Sequence, residues 1–99
     1  MKLLILAVSL ALSLNASASC LTIKRDAQAT MDARQRGVNI NAVIEIAKEK
    51  AINEDIFGAY FRMILNAYNV PRFKTKPYQK AAANEFAGEY YKACQKVSA

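Results

Sequence analysis

The fold is decided by residues 37–77, which read GVNINAVIEIAKEKAINEDIFGAYFRMILNAYNVPRFKTKP. Asn39 and Asn53 each precede an apolar, helically periodic stretch, and asparagine is a favourable helix N-cap. Gly37 suits the end of a preceding helix, and Pro71 disfavours helix in the residue before it. This stretch therefore predicts two complete helices set between two others. The two predicted helices cover residues 39–51 and 53–68.

The segments on either side carry helix signals as well. Apolar residues recur at three- and four-residue steps through residues 21–36, which predicts the first helix. Residues 69–76 form the one predicted loop, and Pro77 suits the first turn of the last helix. The third helix is the most apolar and is expected at the centre. The predicted buried face of the last helix comprises Tyr78, Ala82, Phe86, Tyr90, Ala93 and Val97.

Two pairs of apolar residues are spaced as hydrophobic staples around the asparagine caps. Val38 and Val43 flank the start of the second helix, and Ile52 and Phe57 flank the start of the third. There is no strand-like alternation, internal repeat or linker. The sequence therefore predicts an all-α fold, a small four-helix bundle forming a single domain over residues 19–99.

The chain begins with the three parts of a secretory signal peptide. Residues 1–18 read MKLLILAVSLALSLNASA, in which Lys2 precedes an apolar run and small residues precede the expected cleavage point. That run of about 12 residues is shorter than the roughly 20 that span a bilayer. We expect cleavage after Ala18, which leaves 81 of the 99 residues and lowers the formal charge from +6 to +5. The expected location is periplasmic or secreted, with no transmembrane span in the mature form.

Two cysteines, Cys20 and Cys94, lie near the ends of the expected mature chain. An even count in an exported chain favours a disulfide, and closing a loop of this length stabilises by about 4 kcal/mol in the chain-entropy model. Four antiparallel helices bring the start of the first and the end of the last to one end of the bundle. The alternative is a lipid-modified Cys20, but Ser17 fits poorly where an apolar residue is usual and Cys94 would remain unpaired.

The composition leaves little for catalysis. No histidine is present, so there is neither an imidazole base nor the usual zinc site, and a disulfide would use both thiols. Two carboxylate pairs, Glu45 with Glu49 and Glu85 with Glu89, are spaced one helical turn apart. Lysines lie close to each pair in sequence, so we interpret both pairs as charge-balanced helix surface. The chain is therefore expected to be non-enzymatic, without cofactor or metal.

The strongest candidate binding surface is a basic, aromatic segment. Four cations and two aromatic residues occur within nine positions, with no acidic residue between them: Arg72, Phe73, Lys74, Lys76, Tyr78 and Lys80. Such a segment can bind phosphate, an anionic lipid head group or an acidic protein surface. The alternative is a solvated loop whose Phe73 and Tyr78 are buried in the core. Adjacent aromatic pairs, Tyr60-Phe61 and Tyr90-Tyr91, form a second, weaker candidate surface.

Three segments of the chain resemble a known group of proteins. They are residues 31–38 (MDARQRGV), residues 67–73 (AYNVPRF) and Glu85-Phe86 ahead of Tyr91 and Cys94. They resemble small exported helical proteins of proteobacteria and their prophages, which have no assigned activity. A looser similarity, in size, helicity, export and disulfide, is to periplasmic proteins that block cell-wall lytic enzymes. The resemblance implies a location and a host, and it assigns no site residues.

Two functional hypotheses follow. The first is a non-enzymatic periplasmic or secreted protein that binds a partner protein, of the inhibitor or immunity type. The second is an envelope-stress or membrane-surface protein that binds anionic lipid or lipopolysaccharide through Arg72, Lys74, Lys76 and Lys80. Nucleic acid is a poor expectation for the partner, because the chain is expected to be exported.

Overall fold

The fold is all-α. The computed structural model describes the backbone of residues 2–98 and the side chains of residues 19–97. The predicted leader, residues 1–18, lies outside the described side chains. Over the described part of the chain, the prediction of four helices closed by one disulfide is confirmed. The helices are α1 (Lys2–Gln35), α2 (Ile40–Lys50), α3 (Glu54–Tyr68) and α4 (Lys76–Ser98).

Helix α1 is longer than predicted, although its end is close to the predicted one. It begins at Lys2, because no proline or glycine before Gly37 interrupts it. Gly37 has a φ of +80°, which a glycine adopts without strain. The N–H of Val38 donates to the C=O of Ala33 at 2.9 Å, and the N–H of Gly37 donates to the C=O of Arg34 at 3.0 Å. These two bonds form a Schellman motif that satisfies carbonyls at the end of α1.

The two asparagine caps are confirmed. The side chain of Asn39 accepts from the N–H of Asn41 at 2.8 Å, and that of Asn53 accepts from the N–H of Ile56 at 2.8 Å. Each asparagine supplies an acceptor to one of the helix N–H groups that have no partner within the helix. The starts of α2 and α3 are therefore fixed by local chemistry that the sequence displays.

One of the two predicted hydrophobic staples is wrong. Val38 and Val43 are half-buried and line the same cleft, in agreement with the first staple. Ile52 is 87% exposed, so it does not cover Phe57. The ring of Phe57 instead faces Phe61 one turn later in α3, with 6.0 Å between ring centroids.

The most extensive helix pair is α1 with α4, which run antiparallel. The disulfide joins Cys20 to Cys94, with 5.5 Å between their Cα atoms. Farther along the pair, the Nε2 of Gln28 donates to the Oδ1 of Asn84 at 2.8 Å. The part of α1 that holds Cys20 and the end of the last helix thus meet at one end of the bundle, as the cysteine pairing predicts.

Helix α3 runs parallel to α1 and completes the core. Tyr60 of α3 contacts α1 at Asp26, and Val70, just after α3, contacts α1 at Arg34. Between these contacts lie two small buried clusters, each with one residue from α1, α3 and α4. Helix α2 returns from the end of α1 to the start of α3 and packs mainly on α3. The clusters are Ala27, Met63 and Ala87, and Met31, Ala67 and Ala83.

The predicted buried face of α4 requires correction. Tyr78 and Val97 are 67% and 90% exposed, whereas Ala83 and Ala87 are almost completely buried. The buried face is therefore rotated toward Cys94, which ties α4 to α1. The small alanine side chains allow the two helices to approach closely along this line. The most apolar helix, α3, was expected at the centre, but α1 takes part in the most extensive helix contact.

Over the described residues, none of the helices combines the length and the apolar character that crossing a membrane requires.

Candidate functional site

The loop between α3 and α4 is fixed to the end of α1 by Gln35. This side chain is 1% exposed. Its Nε2 donates to the C=O of Pro71 at 2.9 Å, and its Oε1 accepts from the N–H of Phe73 at 2.7 Å. A single buried amide therefore satisfies two backbone groups of the loop and sets the position of the chain on both sides of Arg72.

Other side chains hold the same loop. The Nε of Arg34 donates to the C=O of Val70 at 2.9 Å, and its guanidinium lies 5.3 Å from the ring centroid of Tyr68. On the far side of the loop, the Nε2 of Gln79 donates to the C=O of Phe73 at 2.8 Å. The carbonyls of three of the first loop residues thus accept from α1 or α4, so the loop is held in one conformation.

Arg72, predicted as a binding cation, is engaged within the protein. Its Nε donates to the C=O of Gln35 at 3.2 Å. Its guanidinium lies over Gly37, where an added Cβ would be 2.8 Å from the Arg72 Cζ. A cation beside these carbonyls also complements the negative end of the helix dipole. Arg72 therefore stabilises the end of α1, while the positive φ of Gly37 is what favours glycine at that position.

The two predicted aromatic residues lie at the surface. Phe73 is 38% exposed and Tyr78 is 67% exposed, so neither is buried in the core. Their ring centroids are 6.4 Å apart. The alternative of a loop with buried aromatic rings does not describe this structure. Two large, partly apolar rings therefore lie next to each other at the surface. The backbone of Phe73 is held by Gln35 and Gln79.

Two of the predicted lysines, Lys76 and Lys80, do not share a face of α4 with Tyr78. Because α4 begins at Lys76, residues 76–80 are distributed around a helix rather than along one edge. Lys76 and Lys80 are one turn apart and share a face, whereas each is about 200° around the helix from Tyr78. The six predicted site residues are therefore divided: the two aromatic rings lie on one side, Lys76 and Lys80 lie on another, Arg72 lies against α1, and Lys74 is exposed on the loop before α4.

The aromatic rings belong to a groove between the loop and α4, with a volume of about 340 Å³. We call it the aromatic groove. Phe73 and Tyr78 stand at one end, Phe86 is half-buried in its floor, and Met31 closes it from α1. Most of its wall comes from one face of α4. The lining residues are Met31, Val70, Phe73, Tyr78, Ala81, Ala82, Glu85, Phe86 and Glu89.

The charged groups that line the aromatic groove, among the described residues, are two carboxylates. Glu85 and Glu89 are exposed and lie one turn apart on α4. The sequence-based interpretation was that nearby lysines balance them, but across residues 19–97 the one ion pair is Lys48 with Glu45, at 3.4 Å. Neither carboxylate of the groove forms an ion pair among the described residues.

A second cleft of about 370 Å³ lies between α1, α2 and α3. Its walls are mostly aliphatic, and Asp26 and Tyr60 form its principal polar contact. The hydroxyl of Tyr60 donates to the Oδ2 of Asp26 at 2.6 Å. This hydrogen bond, together with burial and the nearby negative charge, raises the pKa of Tyr60 to about 12. Burial also raises the pKa of Tyr68, and the positive charge of Arg34 partly offsets that effect.

The second predicted surface, made of adjacent aromatic residues, is divided as well. Phe61 is exposed, whereas Tyr60 is half-buried against Asp26. Tyr91 is half-buried, and the Nζ of Lys24 lies 5.2 Å from its ring centroid. Tyr90 packs against Phe86, with 5.0 Å between ring centroids. All four rings thus have partners within the bundle, since Phe61 packs against Phe57.

The chemical groups available for catalysis or metal binding are few. Both cysteines are in the disulfide. Within residues 19–97, no three acidic or cysteine side chains are grouped so that they could hold a metal ion. What the site offers is a fixed apolar groove with two aromatic rings and two carboxylates. Comparison with protein-family models, with curated proteins and with solved structures finds no match to this chain.

Proposed function

We propose that this is a non-enzymatic binding protein of the periplasm or the extracellular space, and that it binds another polypeptide through the aromatic groove. The observation that carries the proposal is the exposure of Phe73, on a loop fixed by Gln35, and of Tyr78, in the first turn of α4. Exposed aromatic side chains over an apolar groove are typical anchors of protein interfaces.

The fixed loop supports binding in energetic terms. Immobilising a flexible side chain at an interface costs about 0.5–1.5 kcal/mol, and ordering a mobile loop adds to that cost. Here the hydrogen bonds from Gln35, Arg34 and Gln79 hold the loop before any partner arrives. More of the energy from burying the two rings is then available for affinity.

The compartment and the class of activity are part of the proposal. A predicted leader and a disulfide both suit a chain that folds outside the cytoplasm. The absence of histidine from the sequence and the use of both thiols in the disulfide support a role in binding rather than catalysis. An inhibitor or immunity-type factor, of prophage or bacterial origin, is the form of this function that the sequence resemblance favours.

The test is retention of a partner by the oxidised mature protein. Wild type is immobilised beside the double variant Phe73→Ala/Tyr78→Ala and a control, Phe61→Ala/Ile52→Ala, which removes exposed apolar side chains elsewhere. We expect the same polypeptide to be retained from an extracytoplasmic extract of the source cells by wild type and control, and lost by the groove variant. Equal retention by all three proteins would contradict the proposal.

A second candidate function is binding of an anionic envelope surface. The observation that favours it is that Lys76 and Lys80 share one face of α4, and neither forms an ion pair within the described residues. The triple variant Lys74→Glu/Lys76→Glu/Lys80→Glu is expected to lose binding to phosphatidylglycerol vesicles or lipopolysaccharide at low salt. Unchanged binding would exclude this surface as the contact.

A further inference from the structure

We propose that the aromatic groove receives a basic segment of the partner polypeptide, with a lysine or arginine side chain between the aromatic rings and the two carboxylates. This inference rests on the proposed function and specifies the chemistry of the partner. It differs from the expectation from the sequence, in which the basic segment binds phosphate, an anionic lipid head group or an acidic protein surface.

The sign of the local charge is the first argument. Glu85 and Glu89 line the groove and have no cationic partner within 4.0 Å among the described residues. Lys76 and Lys80 lie about 200° around α4 from Tyr78, away from the groove wall. At physiological ionic strength, exposed charges more than about 8 Å apart are largely screened. Lys92 lies one turn beyond Glu89 on α4 but does not line the groove. The two carboxylates are therefore the charges that line the groove itself, and they favour a cation there.

The rings give the second argument. A cation above the face of an aromatic ring, within about 6 Å of its centroid, is attracted by the ring's quadrupole. The groove presents Phe73, Tyr78 and Phe86 on the same side of α4 as the carboxylates. An ammonium or guanidinium group can thus keep its charge paired with a carboxylate while its aliphatic stem packs against the rings.

The length of the groove favours a polypeptide over a free organic cation. From Tyr78 to Glu89 the wall follows α4 for eleven residues, or about 16 Å. Ala81 and Ala82 provide an apolar floor between the rings and the carboxylates. A single ammonium ion would contact only a small part of this surface. A chain that alternates apolar and basic side chains would cover all of it.

The experiment uses the oxidised mature protein and a library of random peptides long enough to span the groove. We expect the selected peptides to carry lysine or arginine beside a large apolar residue. Affinities of the best peptide are then measured by fluorescence anisotropy for wild type, Glu85→Gln/Glu89→Gln and the control Glu45→Gln/Glu49→Gln. The control pair has the same spacing on an exposed face of α2. Circular dichroism verifies that each variant is folded.

The groove variant is expected to bind about tenfold more weakly, whereas the control binds as wild type does. Replacing the basic residue of the peptide by glutamine should weaken binding to wild type by a similar factor. Selection of acidic or uncharged peptides that still require Phe73 and Tyr78 would overturn this inference and leave the proposed function intact. If no selected peptide requires Phe73 and Tyr78, the proposed function fails as well.

Discussion

At the scale of single residues, Gln35 contributes most to the site. It lies at the end of α1, yet both of its polar atoms bond the loop more than thirty residues later. A buried side-chain amide is tolerated only if its donors and acceptors find partners. Gln35 meets that condition by replacing backbone hydrogen bonds that an irregular loop cannot make for itself.

Replacing Gln35 by leucine tests this role. The variant Gln35→Leu keeps the size but leaves the C=O of Pro71 and the N–H of Phe73 without partners. We expect the free energy of unfolding to fall by about 2 kcal/mol, measured by urea denaturation. The control is Gln95→Leu on the exposed side of α4, which should change the stability by less than about 0.5 kcal/mol. Equal effects of the two substitutions would show that the loop is held by something else.

Tyr60 predicts a dependence of stability on pH. Its pKa is raised from 10.0 to about 12, chiefly by its hydrogen bond to Asp26. A raised pKa means that the folded state favours the protonated phenol. Its contribution to stability is therefore complete below pH 10 and is lost as the pH rises toward 12.

The measurement compares unfolding free energies of wild type and Tyr60→Phe between pH 9 and pH 12. We expect the difference between the two proteins to shrink as the pH rises through this interval. In Asp26→Asn, which removes the charged acceptor, an absorbance titration should show Tyr60 ionising closer to pH 10. A difference that stays constant with pH would contradict the assigned hydrogen bond.

At the scale of elements, helix ends were predictable and helix faces were less so. Asn39, Asn53 and Gly37 act on their own neighbours, so their roles as caps can be identified from sequence. The buried face of α4 depends on which helix lies against it, and the alanines that form it are a weak hydrophobic signal. The predicted face therefore lies one position away, at Ala82 and Phe86 in place of Ala83 and Ala87.

The candidate site shows the same difference between features set by neighbours in sequence and features set by contacts between helices. The sequence predicts the basic segment as one surface because its members are adjacent along the chain. Pro77, however, indicates the start of a helix. Side chains two positions apart on a helix point to nearly opposite sides. The helical spacing of positions 78, 82, 85, 86 and 89 places them on one face and would have indicated the groove wall. Gln35 could not have been found, because its contacts are long-range and its residue type is ordinary.

Ala83 and Ala87, the alanines of α4 that pack in the core with α1, give a prediction at the scale of elements. Ala87→Leu places three extra carbon atoms in a contact that is 1% exposed. Overpacking of this kind costs about 1–3 kcal/mol, so the midpoint of thermal unfolding should fall. The control Ala93→Leu adds the same atoms at an exposed position of the same helix. Similar midpoints for both variants would mean that α1 and α4 can separate at little cost.

At the scale of the whole molecule, the disulfide and the aromatic anchors occupy different ends of the bundle. Cys94 lies sixteen residues beyond Tyr78 along α4, or about 24 Å. The anchored loop meets α1 at Gln35, fifteen residues from Cys20. The disulfide therefore sets the stability of the fold, whereas the aromatic end of the groove depends on local contacts at the opposite end.

This separation predicts different outcomes for stability and for binding. The disulfide spans 74 residues, and in the chain-entropy model its removal costs about 4 kcal/mol. For a domain this small, that loss is a large share of a total of about 5–15 kcal/mol. We expect Cys20→Ser/Cys94→Ser to unfold at much lower urea concentration than wild type.

Peptide binding at the groove provides the matching readout. Under conditions in which Cys20→Ser/Cys94→Ser remains folded, its affinity for the selected peptide should equal that of the oxidised wild type. Dithiothreitol serves as the control, because it should lower the stability of wild type and leave the double variant unchanged. Weaker peptide binding by a variant that is still folded would contradict the separation of the two ends. Since only the unfolded chain gains freedom when the disulfide is absent, the folded groove has no reason to change.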